Sequence, residues 1–422
     1  MKNIAIIAFN YAPYNVTGTF RILRFVKYLP RFGYHPIVFT SDQGNHHINN
    51  DLLKSVPEEA DIFRIKTLFP GSEELSKGSA VLYKQKNILK RIATFFVRVV
   101  KDIFFSPDVQ ILWSYRAFPI IVKEIRKRKI KYLLATGSPF SSLWLASFVK
   151  MFTGVKVISD FRDPWVDYKI NFQQTFVRTQ LNKLMEKFVI KNSDLVISVT
   201  EPLTTKLSQL SKNTRFCTIP NNFDKEDYCS YSVSKDPLDQ FVFMYAGKLQ
   251  IGHDAYDPSL FLEGFKLFLK NNIRSCKLII IGYLDDITRD FIDSLDIHEI
   301  EYTGFLNRNE LLNRLSAASA FVQFTYPEKL DYAISIKTFE YAQYKKPIIS
   351  FSSKQGCLAD LLEKSSLGVA FANDDIDEIA KGFEWAYNIK IDDFRREIDD
   401  TVLDYYNVET QTKRLISLME TL

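Results

Sequence analysis

SIKTFEYAQYKKPII, residues Ser335–Ile349, decides how the chain is read. A short loop runs to Lys337, a helix begins, Glu340 lies in its first turn, and a Lys-Pro pair leads into a β-branched run. In a parallel α/β sheet this order aims a helix N-terminus, with unpaired amides and partial positive charge, at whatever lies beyond the strand ends. A diphosphate suits that place, and a glutamate in the same turn can accept both hydroxyls of a ribose. An ordinary surface helix with an early acidic residue has the same local pattern, because the macrodipole favours acids there.

Outward from this segment, short β-rich runs alternate with helical patterns. Strands are expected at Ile4–Phe9, Pro36–Thr40, Tyr132–Thr136, Lys156–Ser159, Leu195–Val199 and Phe216–Ile219. A second series follows at Phe241–Ala246, Lys277–Gly282, Glu301–Thr303, Ala320–Phe324, Pro347–Phe351 and Gly368–Phe371. Helical segments such as Gly18–Arg31, Ser141–Phe152, Pro258–Asn271, Asn309–Ala317 and Ile336–Tyr344 lie between them. The alternation implies an α/β protein of two Rossmann-like, doubly wound parallel-sheet domains with ligands at the strand carboxyl ends. The polar stretch Asn221–Gln240 is the natural linker. Domains are therefore expected at 1–221 and 222–400, with 401–422 a C-terminal helix crossing back to the first.

A length of 422 residues exceeds one ordinary core, and 46% hydrophobic with 25% charged residues suits a globular protein. The four cysteines form no CxxC pair and the five histidines show no ligand spacing, so neither a disulfide framework nor structural zinc is indicated. The apolar run Ile4–Phe9 is too short for a signal-peptide core, and no stretch reaches the length of a transmembrane helix. The formal charge of +5 hides an asymmetry: residues 1–200 carry +15 and residues 201–422 carry −10. An anionic ligand or surface is expected for the first half. Nucleic acid is not, since no binding motif accompanies the charge.

Leu82–Phe105 interrupts the rhythm as a basic amphipathic helix. Ile88, Leu89, Ile92, Phe95, Phe96, Val99 and Ile103 share one face, opposed by Lys86, Lys90, Arg91, Arg98 and Lys101, with Asp102 the single acid. That pattern suits a helix lying in an anionic membrane surface, as does the cluster Arg126–Lys131; a helix packed on its own domain with a solvated charged face fits it too.

Several loops carry candidate chemistry. NYAPYNVTGTFR follows the first strand and opens a helix at Gly18-Thr19, where the backbone can approach a phosphate. It is neither GxGxxG nor a P-loop. DFRDPW, Asp160–Trp165, packs two carboxylates, a guanidinium and an indole behind a strand. Asp160 and Asp163 either hold Arg162 as a structural network or act on acceptor hydroxyls and developing charge at a cleft mouth. In YAGKL, Lys248 follows Gly247 directly after a strand, as a point cation for a diphosphate or an exposed loop lysine. Phe305, after YTG, could border a nucleobase. Asp375-Ile376-Asp377 is formally a DxD, but NDDIDEIAKGF reads as an N-capped helix.

Taken in order, these pieces resemble bacterial GT-B retaining glycosyltransferases of the group with a Glu–seven residues–Glu donor motif, similar to glycosyltransferase family 4. The resemblance runs through Gly18, TGSPFSS, DFRDPW, IPNNFD, YAGKL, IIIGYL, YTGFL and SIKTFEYAQYKKPII. It implies two domains facing across a cleft, and transfer of a sugar from a nucleoside-diphosphate donor, with retention and without a metal. It also implies no cofactor beyond that donor substrate. Carried over by position, Gly247, Lys248, Ser335, Lys337 and Glu340 would bind donor, with the loop at Gly18-Thr19 closing on it; from their own chemistry Phe305 is a further donor-side candidate, and Asp160, Arg162 and Asp163 are the candidate catalytic residues. The implied acceptor is a lipid-linked or surface-polysaccharide precursor, and the implied location is the cytoplasm, peripheral at the inner face of the cell membrane. Tyr332 stands eight residues before Glu340, where the motif's first glutamate would fall. A nucleotide-sugar epimerase or hydrolase on the same fold, or a non-catalytic nucleotide-sugar-binding scaffold, are the alternatives.

Overall fold

The computed structural model describes residues 1–42, 48–67, 99–166, 175–228, 240–252, 257–271, 275–324 and 334–422. The chain forms two compact units, Met1–Pro220 together with Gln411–Leu422, and Asn221–Thr410. The first is built on β1 (Lys2–Ile7), β2 (Tyr34–Ser41), β3 (Asp61–Ile65), β4 (Tyr132–Gly137), β5 (Lys156–Phe161), β6 (Leu195–Ser198) and β7 (Arg215–Thr218). The second is built on β8 (Phe241–Ala246), β9 (Cys276–Ile281), β10 (Ile300–Gly304), β11 (Ala320–Phe324), β12 (Ile348–Phe351) and β13 (Gly368–Phe371).

The sheet orders are β3-β2-β1-β4-β5-β6-β7 and β10-β9-β8-β11-β12-β13. Every pairing is parallel, for example Ile4↔Tyr132 between β1 and β4, and Phe243↔Ala320 between β8 and β11. Both sheets reverse direction of growth at one point, β1/β4 in the first and β8/β11 in the second. Such switch points are where doubly wound sheets leave a crevice at the strand carboxyl ends.

The strands are apolar on both faces because helices cover both sides. In β1, Ala5 and Ile7 join one buried cluster while Ile4 and Ile6 join the other. In β8, Val242 and Met244 face one cluster, and Phe243 and Tyr245 the opposite one. The aromatic content is concentrated there: Phe243 meets Phe383 edge-on at 5.0 Å, and Phe321 stacks on Tyr341 at 4.3 Å. Leu415, Ile416 and Met419 complete the first unit's second cluster, and Glu420 accepts from Tyr34 Oη at 2.8 Å.

Two features differ from the sequence reading. The edge strand β3 was not anticipated, because an edge strand needs little apolar patterning: Asp61 and Arg64 both lie in it, and Ile65 alone is fully buried. Residues Asn221–Tyr228, read as linker, are built into the second unit. Phe223 is buried and exchanges backbone hydrogen bonds with Tyr406 and Val408 at 3.2 and 2.8 Å, and Asp224 caps a short 3-10 turn. The rest of that stretch, residues 229–239, lies outside the described residues, as do Tyr332 and most of the basic segment, 82–98. Of the latter's end, Ile103 and Phe104 are exposed, while Asp102 is buried and accepts from Thr175 Oγ1 at 2.6 Å.

Candidate functional site

In the second unit β8, β9 and β10, on one side of the switch point, each run out into a glycine: Gly247, Gly282 and Gly304. Gly247 N–H donates to Ile281 O at 2.8 Å, and Gly282 N–H to Gly304 O at 2.9 Å. A Cβ at Gly282 would overlap the Gly247 carbonyl, so the turns after β8 and β9 touch backbone to backbone. Gly282, with φ +135°, and Gly304, with φ +75°, also need conformations that side chains disfavour. The result is a floor of bare peptide groups on which a ligand can lie closely.

Beside this floor stands the helix Ile336–Ala342, only seven residues long. Ser335 caps it by accepting from Lys337 N at 3.3 Å. Thr338 Oγ1 donates to Gln323 Oε1 at 3.0 Å, and Tyr341 Oη accepts from Ala246 N at 2.8 Å. These bonds tie the helix to β11 and to the end of β8, so its polar residues are held in place. Lys337 reaches back over the Tyr245 ring, 4.7 Å from its centroid, into the space a Gly247 side chain would occupy. Burial pushes the Lys337 ammonium down to about 8, with Glu340 opposing the shift.

Glu340 is 9% exposed, and its Oε1 accepts from Arg308 Nη1 at 2.5 Å. Arg308 also reaches Tyr228 Oη at 3.4 Å and Asp227 at 3.7 Å. Burial works against the Arg308 charge, but Glu340, Tyr228 and Asp227 together outweigh it and raise its pKa. Arg308 escaped the sequence reading. Its local signal is Asn307-Arg308-Asn309-Glu310, a capping box that fixes the first turn of the helix Arg308–Ser316. Lys248 is exposed, its ammonium 5.9 Å from the Tyr283 ring, and Phe305 is 66% exposed behind β10. The structure thus gathers Gly247, Ser335, Lys337 and Glu340 around the end of β8, with Lys248 and Phe305 on the adjoining loops. Asp375 caps the helix Ile376–Tyr387 through Asp377 N at 2.9 Å, which accounts for the DxD.

In the first unit Asp160 is fully buried. It accepts from Arg21 Nε and Nη2, both at 3.0 Å, and from Thr136 Oγ1 at 2.9 Å. The structural partner of Asp160 is therefore Arg21, not Arg162 as sequence proximity suggested, and Arg21 further donates to the carbonyls of Ile219 and Pro220. Arg162 turns instead to the loop after β4, donating to Gly137 O at 2.9 Å and to Ser138 O. Its guanidinium lies against Gly18, where a Cβ would overlap it. Asp163 is half-buried, and burial raises its pKa in spite of the neighbouring Arg162 charge. Thr19 is buried on the first turn of the helix Thr17–Tyr28. Among the described residues no group of three or more His, Cys, Asp or Glu side chains could hold a metal ion.

Residues 240–388 match the family described as Glycosyl transferases group 1. No curated protein shows a sequence match to the chain. Solved structures are similar over nearly their full length. Sucrose-phosphate synthase from Thermosynechococcus elongatus has a TM-score of 0.65 at 14% identity, covering 100% of this chain and 99% of that one. A glycosyltransferase from Rickettsia africae gives 0.63 at 13%, covering 99% and 97%. Anabaena HepE in complex with UDP-glucose gives 0.63 at 12%, covering 100% of both. The second unit thus matches the family model of the group 1 glycosyl transferases over residues 240–388, and the two doubly wound parallel sheets have the GT-B fold.

Proposed function

We propose that the chain transfers a sugar, with retention and without a metal, from a nucleoside-diphosphate sugar to a lipid-linked or surface-polysaccharide precursor. The observation that carries the donor half is the buried Glu340, held by Arg308 beside the glycine floor and the Lys337 ammonium. A carboxylate fixed in this way can accept from both ribose hydroxyls. Lys337, Lys248 and the bare amides face the diphosphate and stabilise its charge as it departs, work that a metal ion does in other transferases. HepE, of the same fold, was solved with UDP-glucose.

Asp163 and Arg162 stand on the acceptor side. Burial raises the pKa of Asp163, which favours its exchanging a proton with an acceptor hydroxyl, and Arg162 can meet developing negative charge. The chain is proposed to work at an anionic membrane surface, reached through the basic segment 82–105 and the exposed Ile103, Phe104 and Phe176. No helix among the described residues is long and apolar enough to cross a membrane.

Calorimetry with UDP and other nucleoside diphosphates tests the donor site. Glu340→Ala removes charge-assisted hydrogen bonds worth about 1.5–3 kcal/mol each, so affinity falls about tenfold or more. Unchanged affinity refutes the role. The residue Tyr332 in place of a glutamate favours one other reading, a nucleotide-sugar-binding protein without turnover. Donor binding with no product from any acceptor pool would select it. Turnover of donor alone would select an epimerase or hydrolase instead.

A further inference from the structure

Three helices lie side by side on one face of the first unit's sheet, and their outer surface carries no exposed acid. Ile111–Arg128, Ser141–Thr153 and Phe176–Asn192 bury Ile121, Val149 and Val189 in one common cluster. Phe118 meets Phe152 edge-on at 5.2 Å across the first two helices, and Trp144 meets Phe188 at 5.1 Å across the second two. The acids of these helices, Glu124 and Glu186, are each only 8% exposed. Lys123, Arg126 and Lys127 on the first helix and Lys183, Lys187 and Lys191 on the third are all exposed. The last three recur at every fourth residue, a spacing that stacks like charges on one helix face and costs helix stability.

Large apolar side chains are exposed on the same flank. Ile120, Met151, Phe152 and Leu184 lie outward among those cations, and Phe176, 78% exposed, opens the third helix. The helical segments on the opposite side of the sheet, residues 18–28 and 411–422, expose no large hydrophobic side chain. Single exposed apolar residues are ordinary, but their collection on one side of a sheet marks a surface that meets a partner. Each of the three helices joins parallel strands and so runs back against them, which puts Phe176 and Phe152 at opposite ends of the flank. Ile103 and Phe104 extend the patch at the Phe176 end, because Asp102 accepts from Thr175 Oγ1 at 2.6 Å and from Arg178 Nη1 at 3.4 Å.

We propose that this flank is a lipid-docking face, which seats the first unit on an anionic bilayer with the three helices lying along the membrane surface. This rests on the membrane reading and extends it from the basic segment to the folded unit itself. A second copy of the chain does not fit the flank, because two cationic faces without exposed acids repel each other. Residues 82–98 do not fit as a cover either, since they bring Lys84, Lys86, Lys90, Arg91 and Arg98 and no acid. An anionic lipid surface suits both features of the flank. Its headgroups meet the lysines and offset their mutual repulsion, while its acyl boundary takes up the apolar side chains.

Sedimentation of the full chain with phosphatidylcholine vesicles, with and without phosphatidylglycerol, provides the test. Binding is expected only with phosphatidylglycerol and should weaken as salt rises. Two charge-reversal variants separate the flank from the basic segment. One combines Lys123→Glu, Lys127→Glu, Lys183→Glu and Lys187→Glu; the other combines Lys90→Glu, Arg91→Glu and Arg98→Glu. The flank variant should bind at least tenfold more weakly while keeping its cooperative melt and its UDP affinity within twofold. Full binding by the flank variant, with release of the segment variant, overturns this proposal and leaves the membrane reading standing. No vesicle binding by the parent overturns both. Phe152→Trp and Phe176→Trp report the pose through added indoles, and brominated lipid should quench both. Quenching at Phe176→Trp alone means end-on docking and overturns the flank. Retention on immobilised polyglutamate without vesicle binding selects an acidic protein surface as the partner and overturns the lipid assignment.

Discussion

Each unit buries an arginine–carboxylate pair at the end of its sheet, and the two pairs are not alike. Arg21–Asp160 is sealed, with side chains 1% and 0% exposed, and Arg21 divides its remaining hydrogen bonds between the carbonyls of Ile219 and Pro220. Arg308–Glu340 is at the rim, 17% and 12% exposed, and one arginine serves Glu340, Asp227 and Tyr228 together. A sealed pair with every polar atom matched can only hold structure. A rim pair with a spare carboxylate oxygen can hold a ligand as well. Burial alone does not distinguish a scaffold charge from a binding charge; the completeness of its hydrogen bonding does.

The comparison breaks first at its sealed side. Asp160→Ala leaves Arg21 buried and unpaired, and should destabilise the chain by about 3–5 kcal/mol in denaturant unfolding. A loss below about 1 kcal/mol would mean that the pair is not the clamp described. At the rim, Arg308→Ala should leave the fold largely intact and weaken UDP about tenfold, because Glu340 loses the partner that orients it. If Arg308→Ala instead unfolds the protein while sparing affinity, the two pairs are of one kind.

A smaller effect is expected with pH. The Lys337 ammonium titrates at about 8 in the folded chain against an ordinary 10.5. Diphosphate affinity should therefore fall as pH rises through about 8, by at most about tenfold per pH unit, and Lys337→Gln should flatten the profile. Stability runs the opposite way. Below about 8 the lysine is charged in both states; between about 8 and 10.5 the unfolded chain binds more protons, so stability rises with pH. Lys346, also pushed down to about 8 by burial, adds to that rise but not to the affinity profile. Smallest of all, Lys248→Ala removes an exposed cation and should cost UDP affinity about threefold or less.

Much of the architecture was legible because parallel strands covered on both faces read as short apolar runs separated by helical periods. The twelve expected strands all form, while β3, charged and at an edge, left no such trace. Gly247, Ser335, Lys337 and Glu340 were legible as candidates for a different reason: glycine after a strand and a capped helix start are local signatures. Arg308 and Arg21 were not. Their partners lie 32 and 139 residues away, and no local spacing encodes such a pairing.

The sequence by itself determined the two α/β halves, the strand runs and the loops in which chemistry could sit, since periodicity, glycine and capping residues act over a few positions. Only the tertiary structure decided which charge meets which. It gave Asp160 to Arg21, brought Arg162 against Gly18, and set Arg308 on Glu340. Those choices depend on which strands become neighbours in the sheet. Strand order is settled by how the whole chain buries its apolar faces, not by any one segment.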